Sequence, residues 1–97
     1  MNEALIFAKR QDIMDQINFD VEAFTDDILP RIGANDFYIV CKLHDRVPNK
    51  LVLSWEWKRI NKQMGKEFAF TVNETAEAFV NRVKAYLFDL IVMYINL

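Results

Sequence analysis

Three groups of residues in this 97-residue chain could do chemistry on something else. The first is a set of acids, Asp12, Asp15, Asp20, Glu22, Asp26 and Asp27. As calcium ligands they lack the right spacing: Asp26-Asp27 is too short for an EF-hand loop, and the glycine such a loop needs is missing. As catalytic carboxylates they have no companion set of polar residues to form a pocket. What they can form is an acidic surface, either simply solvated or docked on a basic groove as a nucleic-acid mimic would dock. The second group lies in Trp55-Glu56-Trp57-Lys58-Arg59-Ile60-Asn61-Lys62-Gln63-Met64-Gly65-Lys66. Aromatic rings interleaved with cations can stack bases and neutralise phosphates, which would make Lys58, Arg59, Lys62 and Lys66 nucleic-acid contacts. Against this, Trp55 and Trp57 alternate with Glu56 and share a strand face with Leu51 and Leu53, which reads as core beside a solvated hairpin tip.

The third group is His44 and Cys41, the one histidine and the one cysteine. A general base needs an orienting partner and a nucleophile to serve. Asp45 is adjacent, but neighbours on a strand point to opposite faces, so His44 reads as a turn or surface residue. Cys41 falls between Ile39 and Leu43 on an apolar face, where a thiol is a small hydrophobe and not a nucleophile. Asn73-Glu74-Thr75 matches a glycosylation acceptor, and helix capping is the better account of it. The chain has no glycine-rich phosphate loop, no serine-centred elbow and no zinc spacing. No catalytic residue, metal or cofactor is therefore expected, and the chain reads as a non-enzyme.

The elements that carry these groups follow from hydrophobic period. Ile6, Ile13, Ile17, Val21, Phe24 and Ile28 hold one helical stripe, with acids on much of the other side. Asn18 and Asp20 are placed to break this helix, with Asp20 as a second N-cap, and Pro30 is expected to end it before a turn at Gly33. Three strands of period two follow. Phe37, Ile39, Cys41 and Leu43 share a face; so do Leu51, Leu53, Trp55 and Trp57; so do Phe68, Phe70 and Val72. Turns are expected over Asp45–Lys50 and Asn61–Lys66. The last third is helical again, with Asn73 as the expected N-cap. One of its stripes is Ala76, Phe79, Val80, Val83, Leu87, Leu90, Ile91 and Tyr94. A second is Ala85, Phe88, Val92 and Ile95. A helix this apolar needs cover on more than one side, so Phe88, Val92 and Ile95 are expected to form a homodimer interface.

The expected fold is α+β in the order α-β-β-β-α: a three-stranded antiparallel meander with N- and C-terminal helices packed on one face. The chain reads as one domain, 1–97, made of an acidic helical segment 1–32, a sheet 36–73 and an apolar helix 74–96. Two separate cores would leave about 50 residues each, near the lower limit for independent folding. An apolar fraction of 53% with 13% aromatics excludes a disordered chain. One cysteine excludes an internal disulfide. The start lacks a basic, then apolar leader, and the longest nearly uncharged apolar run, 86–95, is too short for a bilayer. A cytoplasmic protein with no membrane partner is the expectation.

Charge is blocked along the chain. Residues 1–36 hold three basic residues against eight acids, residues 37–66 hold seven against two, and residues 67–97 hold two against four. An acidic first third and a basic middle can attract each other within a fold or dimer, or serve two partners. The element order resembles that of double-stranded-RNA-binding domains and of several small phage-encoded inhibitors, in topology alone. The RNA-binding domain starts its last helix with lysines. Here that place reads Asn73-Glu74-Thr75-Ala76-Glu77.

The resulting expectation is a non-catalytic protein-binding module, a small homodimeric inhibitor or adaptor. The class of small acidic-faced domains without active sites adds phage or mobile-element anti-defence proteins, anti-CRISPRs among them. The partner would be a larger, nucleic-acid-handling protein occluded by the acidic helical face. The alternative is direct nucleic-acid binding through residues 55–66, which sits poorly with a pI of about 5.3.

Overall fold

Residues 3–31 keep a helical backbone long enough to span the molecule, in a computed structural model that describes residues 3–96. The rod consists of α1 (Glu3–Gln16), a π-helical segment (Ile17–Glu22) and α2 (Ala23–Arg31). At 1.5 Å per residue its 29 residues measure about 43 Å, close to the 46 Å long axis of the molecule. The chain does not break at Asn18–Asp20 as the polar residues suggest: Glu22, the last residue of the π segment, is right-handed helical at φ −65°, ψ −44° and leads directly into α2. The buried positions explain the widened turn. Ile13, Ile17, Val21 and Thr25 follow one another by fours, and each such step drifts about 40° around an ideal helix. A π turn holds an extra residue and takes up part of that drift. The side chain of Asp20, the expected second N-cap, lies outside the described residues.

Pro30 lies inside α2, one residue from its end, contrary to the expectation that it stops the helix. So late in the helix it forfeits only the bond to the Asp26 carbonyl, which the solvent-exposed position of Asp26 tolerates. The stop comes from Gly33, left-handed at φ +69°. Its N–H donates to the Pro30 carbonyl at 3.1 Å, and the N–H of Ala34 to that of Leu29 at 2.9 Å. These two bonds are a Schellman closure, which needs a left-handed residue where glycine stands.

The sheet has the order β1 (Phe37–Leu43), β2 (Lys50–Trp57), β3 (Lys62–Ala69), antiparallel throughout. Opposed residues share a face. Leu43 faces Leu51, Cys41 Leu53, Ile39 Trp55 and Phe37 Trp57, so the apolar faces of β1 and β2 merge. The first hairpin turns within the expected segment. The N–H of His44 donates to the Lys50 carbonyl, and His44 Nδ1 accepts from the N–H groups of Arg46 (3.0 Å) and Val47 (2.9 Å).

The second hairpin differs from expectation. Its turn is the 3₁₀ segment Lys58–Ile60 closed by a left-handed Asn61, and β3 starts at Lys62, five residues before the expected strand at 67. Asparagine tolerates that backbone. Residues 62–66 pair with β2 although Lys62 and Lys66 lie on its apolar side, which hides the period-two signal.

Helix α3 (Ala76–Ile95) packs across the apolar face. Its N-cap is Thr75, whose hydroxyl accepts from the Ala78 N–H at 3.0 Å; Asn73 lies in the preceding turn and does not cap. The cap sits three residues from the donor it satisfies, as a threonine N-cap requires. Phe79 packs edge-on against Phe68 and Phe70, Tyr86 against Trp55 and Phe68, and Tyr94 lies beside Phe37 and Trp57. The N-terminal rod lies beside α3, adding Ile13, Ile17 and Val21 to the same buried cluster. The rod and α3 thus close one sheet face side by side, giving the α+β fold anticipated above. Lys9 fastens the rod by donating to the carbonyls of Val72 and Glu74, and Arg10 by donating to that of Pro48.

The His44 acceptor gives a direct test of the first hairpin. His44→Ala leaves two backbone N–H groups without their acceptor and is expected to cost about 1 kcal/mol, the typical scale for losing a side-chain cap. His44→Asn keeps an acceptor in an Asx-type turn and is expected to recover most of that loss in urea unfolding. Equal destabilisation by the two substitutions would show that the imidazole acceptor is irrelevant.

Candidate functional site

The acids of the N-terminal rod reach solvent. Asp12, Asp15, Glu22, Asp26 and Asp27 are exposed, and Glu22 among them flanks the packed side, near enough to β1 for its charge to act on Cys41. From Asp12 to Asp27 is 15 residues, about 22 Å along the axis. Asp15 accepts from Gln11 at 3.0 Å, and Asp27 pairs with Arg31 at 3.2 Å across one exposed helical turn. Such exposed pairs contribute little stability. Among the described residues, Asp12, Glu22 and Asp26 have no ion-pair partner. The basic residues that could neutralise this face, Lys9 and Arg10, are drawn to backbone carbonyls elsewhere.

The basic residues of 58–66 do not form one surface. Lys58 Nζ lies 4.8 Å from the ring centre of Tyr38, on the sheet face away from the helices. Lys62 Nζ lies 5.5 Å from Trp57 and Lys66 Nζ 5.4 Å from Tyr86, on the helix side. Arg59 lies over Tyr94 at 4.7 Å and pairs with Asp36 at 3.4 Å. Each cation rests on an aromatic ring of its own chain, an arrangement worth about 0.5–1 kcal/mol where exposed.

Arg59 belongs instead to a polar node at one end of the molecule. The Tyr94 hydroxyl donates to Asp36 Oδ1, and the Arg59 N–H donates to Asp36 Oδ2 at 3.0 Å. The Lys58 N–H donates to the Asp36 carbonyl at 3.0 Å. One aspartate thereby ties together the start of β1, the second turn and the end of α3. The node borders a shallow depression of about 560 Å³ that Ile32, Gly33 and Ile95 also line. Hydrogen bonding from Tyr94, then from backbone and Arg59, lowers the Asp36 pKa below its ordinary 3.8. The same bond raises the Tyr94 phenol above 10.0. The three groups satisfy one another, so the node is built to hold ends together. Nothing in the sequence singles out Asp36 and Tyr94, which are 58 positions apart.

Cys41 is half-buried, and desolvation, with help from the charge of Glu22, pushes its thiol up to about 11. It is an unreactive packing residue. His44 serves its turn. Among the described residues no group of three or more histidine, cysteine or acidic side chains is placed to hold a metal ion, and no helix is long and apolar enough to cross a membrane.

The second stripe of α3 is uncovered. Phe88 is 58% exposed, Val92 41% and Ile95 58%, whereas Phe79, Val83 and Leu87 on the other stripe are fully buried. No family model, curated protein or solved structure matches the chain.

Tyr94→Phe keeps the ring but removes the hydroxyl that holds Asp36. The Asp36 carboxyl, followed by NMR, is expected to titrate closer to 3.8 in the variant. Because the folded-state value of Asp36 is depressed, the wild-type stability advantage is full well above pH 3.8 and is lost as pH falls through the lowered value. At the alkaline end the raised phenol gives the opposite sign: its contribution fades as pH rises beyond 10.0. An unchanged Asp36 titration would refute the hydroxyl as the main cause.

Proposed function

We propose that this chain is a non-catalytic protein-binding module, an inhibitor or adaptor whose acidic helical face occupies a basic groove on a larger, nucleic-acid-handling protein. The observation that carries this reading is the set of solvent-exposed carboxylates along the N-terminal rod, Asp12, Asp15, Glu22, Asp26 and Asp27, while Lys9 and Arg10 are held elsewhere. A rigid row of carboxylates of this length presents charge without first having to order a flexible chain, so little binding energy is spent on ordering. Its reach of about 22 Å matches a groove that would otherwise follow several successive phosphates. Direct nucleic-acid binding through Lys58, Arg59, Lys62 and Lys66 receives less support, because these cations are divided between both sheet faces and the end node.

The module is proposed to work as a homodimer through the open stripe of α3. Phe88, Val92 and Ile95 repeat on one helix side, and contact with a second copy would remove that apolar surface from water at about 25 cal/mol per Å². A two-fold pairing of identical stripes is self-complementary.

Two experiments test these parts separately. Immobilised chain incubated with extract of the native host is expected to retain a nucleic-acid-handling protein, identified by mass spectrometry, and excess DNA is expected to displace it. Asp26→Lys with Asp27→Lys is expected to abolish retention; undiminished retention by that double variant rejects the acidic face. For the dimer, Phe88→Glu with Val92→Glu is expected to convert a micromolar two-fold species to monomer in sedimentation. A wild type that sediments as a monomer rejects the interface.

A further inference from the structure

The far edge of the sheet carries a second surface, unrelated to the acidic rod. In an antiparallel pair, hydrogen-bonded and non-bonded residue pairs alternate. The Phe70 N–H donates to the Asn49 carbonyl at 2.9 Å. By alternation the bonded pairs are Leu51–Phe68, Leu53–Lys66, Trp55–Met64 and Trp57–Lys62. The even-numbered residues of β3 therefore spend their N–H and C=O groups on β2. Those of Gln63, Gly65, Glu67 and Ala69 point to the open edge, because β3 is the last strand. One contact checks this assignment: Arg82 Nη2 donates to the outward carbonyl of Ala69 at 2.8 Å, with the guanidinium held by Glu74. Arg82 closes that end of the edge. Over Gln63, Gly65 and Glu67 no main-chain partner lies among the described residues.

The side chains beside this open segment define what can pair with it. Lys62, Met64 and Lys66 face the helix side. Neither lysine has an ion-pair partner among the described residues; each rests on an aromatic ring. Inward-pointing lysines on an edge strand repel a second copy of the same strand, since pairing in the register that sets Lys66 against Lys66 opposes like charges. They attract a strand bearing carboxylates. Between them Met64 is 49% exposed, and beyond it a groove of about 340 Å³ runs between β3 and α3, lined by Trp55, Tyr86, Leu90 and Met93, with Asp89 also lining it.

We propose that this edge binds an extended acidic peptide segment of a partner protein by strand addition, in the pattern acid-x-apolar-x-acid. The two carboxylates meet Lys62 and Lys66, and the apolar residue between them enters the groove beside Met64. Asp89 disfavours a third carboxylate at that middle position. The pattern reads the same in both directions, so it holds for a parallel or an antiparallel added strand. The main chain supplies affinity and the alternate side chains supply selectivity. Gly65 lies at the centre of the open segment, and a side chain there would meet its own fold only at ordinary distances of 3.7 Å. The fold itself therefore does not require a glycine here, whereas a backbone approaching from outside is favoured by one.

The probe is a fluorescein-labelled synthetic peptide with the core Glu-Thr-Leu-Thr-Glu, followed by anisotropy with the full chain at about 50 mM salt, where screening is weak. Saturable binding is expected, at least about tenfold tighter than for the Lys-Thr-Leu-Thr-Lys peptide, from two charge pairs and the repulsions that replace them. Gly65→Pro removes one outward N–H and no bond to β2, so it is expected to keep the fold by circular dichroism and lose the peptide. Lys62→Glu with Lys66→Glu is expected to reverse the preference between the two peptides, a gain that misfolding cannot imitate. Asp26→Lys with Asp27→Lys is expected to bind the acidic peptide as wild type does, which keeps this surface separate from the rod. Absence of preference for the acidic peptide, or an unreversed preference in the double variant, overturns the proposal. So does binding of a single-stranded oligonucleotide that Gly65→Pro leaves unchanged, or self-association through β3 that Gly65→Pro abolishes.

Discussion

The inner face of β2 is the constraint on which the rest of this structure depends. Leu51, Leu53, Trp55 and Trp57 alternate along one central strand and are all buried, with β1 on one side and β3 on the other. Two tryptophans side by side need aromatic or aliphatic cover over their whole width. Tyr86 and Tyr94, two turns apart on α3, supply much of it, packing on Trp55 and Trp57. The helix must therefore lie along β2 with one particular stripe turned down. Ile13, Ile17 and Val21 of the N-terminal rod then fill the remaining width. Once that stripe is committed, Phe88, Val92 and Ile95 have nowhere to go but outward. The open apolar stripe follows from the tryptophans and is a consequence of packing before it is a surface for a partner.

The same constraint places the lysines of β3. Pairing with Trp57 and Leu53 puts Lys62 and Lys66 on the helix side of an edge strand. Their stems cover aromatic surface while the ammonium groups reach the rim. The indole N–H groups of Trp55 and Trp57 are buried with no acceptor among the described residues, so this side of the core already carries unpaired donors alongside the two cations. Positive charge from Lys62 and Lys66 thus gathers at the open edge, and carboxylates at the rod.

Legibility in the sequence followed how far each signal was local. β1 and β2 were readable because their apolar residues alternate without interruption, and α3 because both of its stripes are long. β3 was misplaced because lysines occupy two of its inward positions, so period two is absent where the strand begins. The cap of α3 was misassigned between two good capping residues, Asn73 and Thr75, that only the backbone path distinguishes. Pro30 and the polar pair Asn18 and Asp20 signalled breaks that a late helix position and a π turn absorbed. The exposure of Asp12, Asp15, Glu22, Asp26 and Asp27 was legible because charged residues beside an apolar helical stripe stay in water. The Asp36–Arg59–Tyr94 node and the open β3 edge were not, since both arise from residues brought together by the fold alone.

Charge segregation along the chain could have been spent on holding the fold together. Of the four ion pairs among the described residues, only Asp36–Arg59 joins the acidic first third to the basic middle. Of the other three, Asp27–Arg31 lies within α2, Glu74–Arg82 ties α3 to the turn before it, and Lys50–Glu67 crosses between the neighbouring strands β2 and β3. The reason is geometric. Glu22 lies close enough to β1 for its charge to act on Cys41, whereas Lys62 and Lys66 belong to β3, at the opposite edge of the sheet. A three-stranded sheet separates its edges by about 10 Å, more than the Debye length of about 8 Å at physiological salt, so attraction between these charges across the molecule is weakened. A second copy could not use both surfaces efficiently either. Its acidic face is helical and offers no main-chain groups to an open strand, and rod-to-edge contacts between copies would be head-to-tail and need not close. Two surfaces of opposite charge and different backbone type are therefore poorly matched to one another, which agrees with the adaptor reading proposed above.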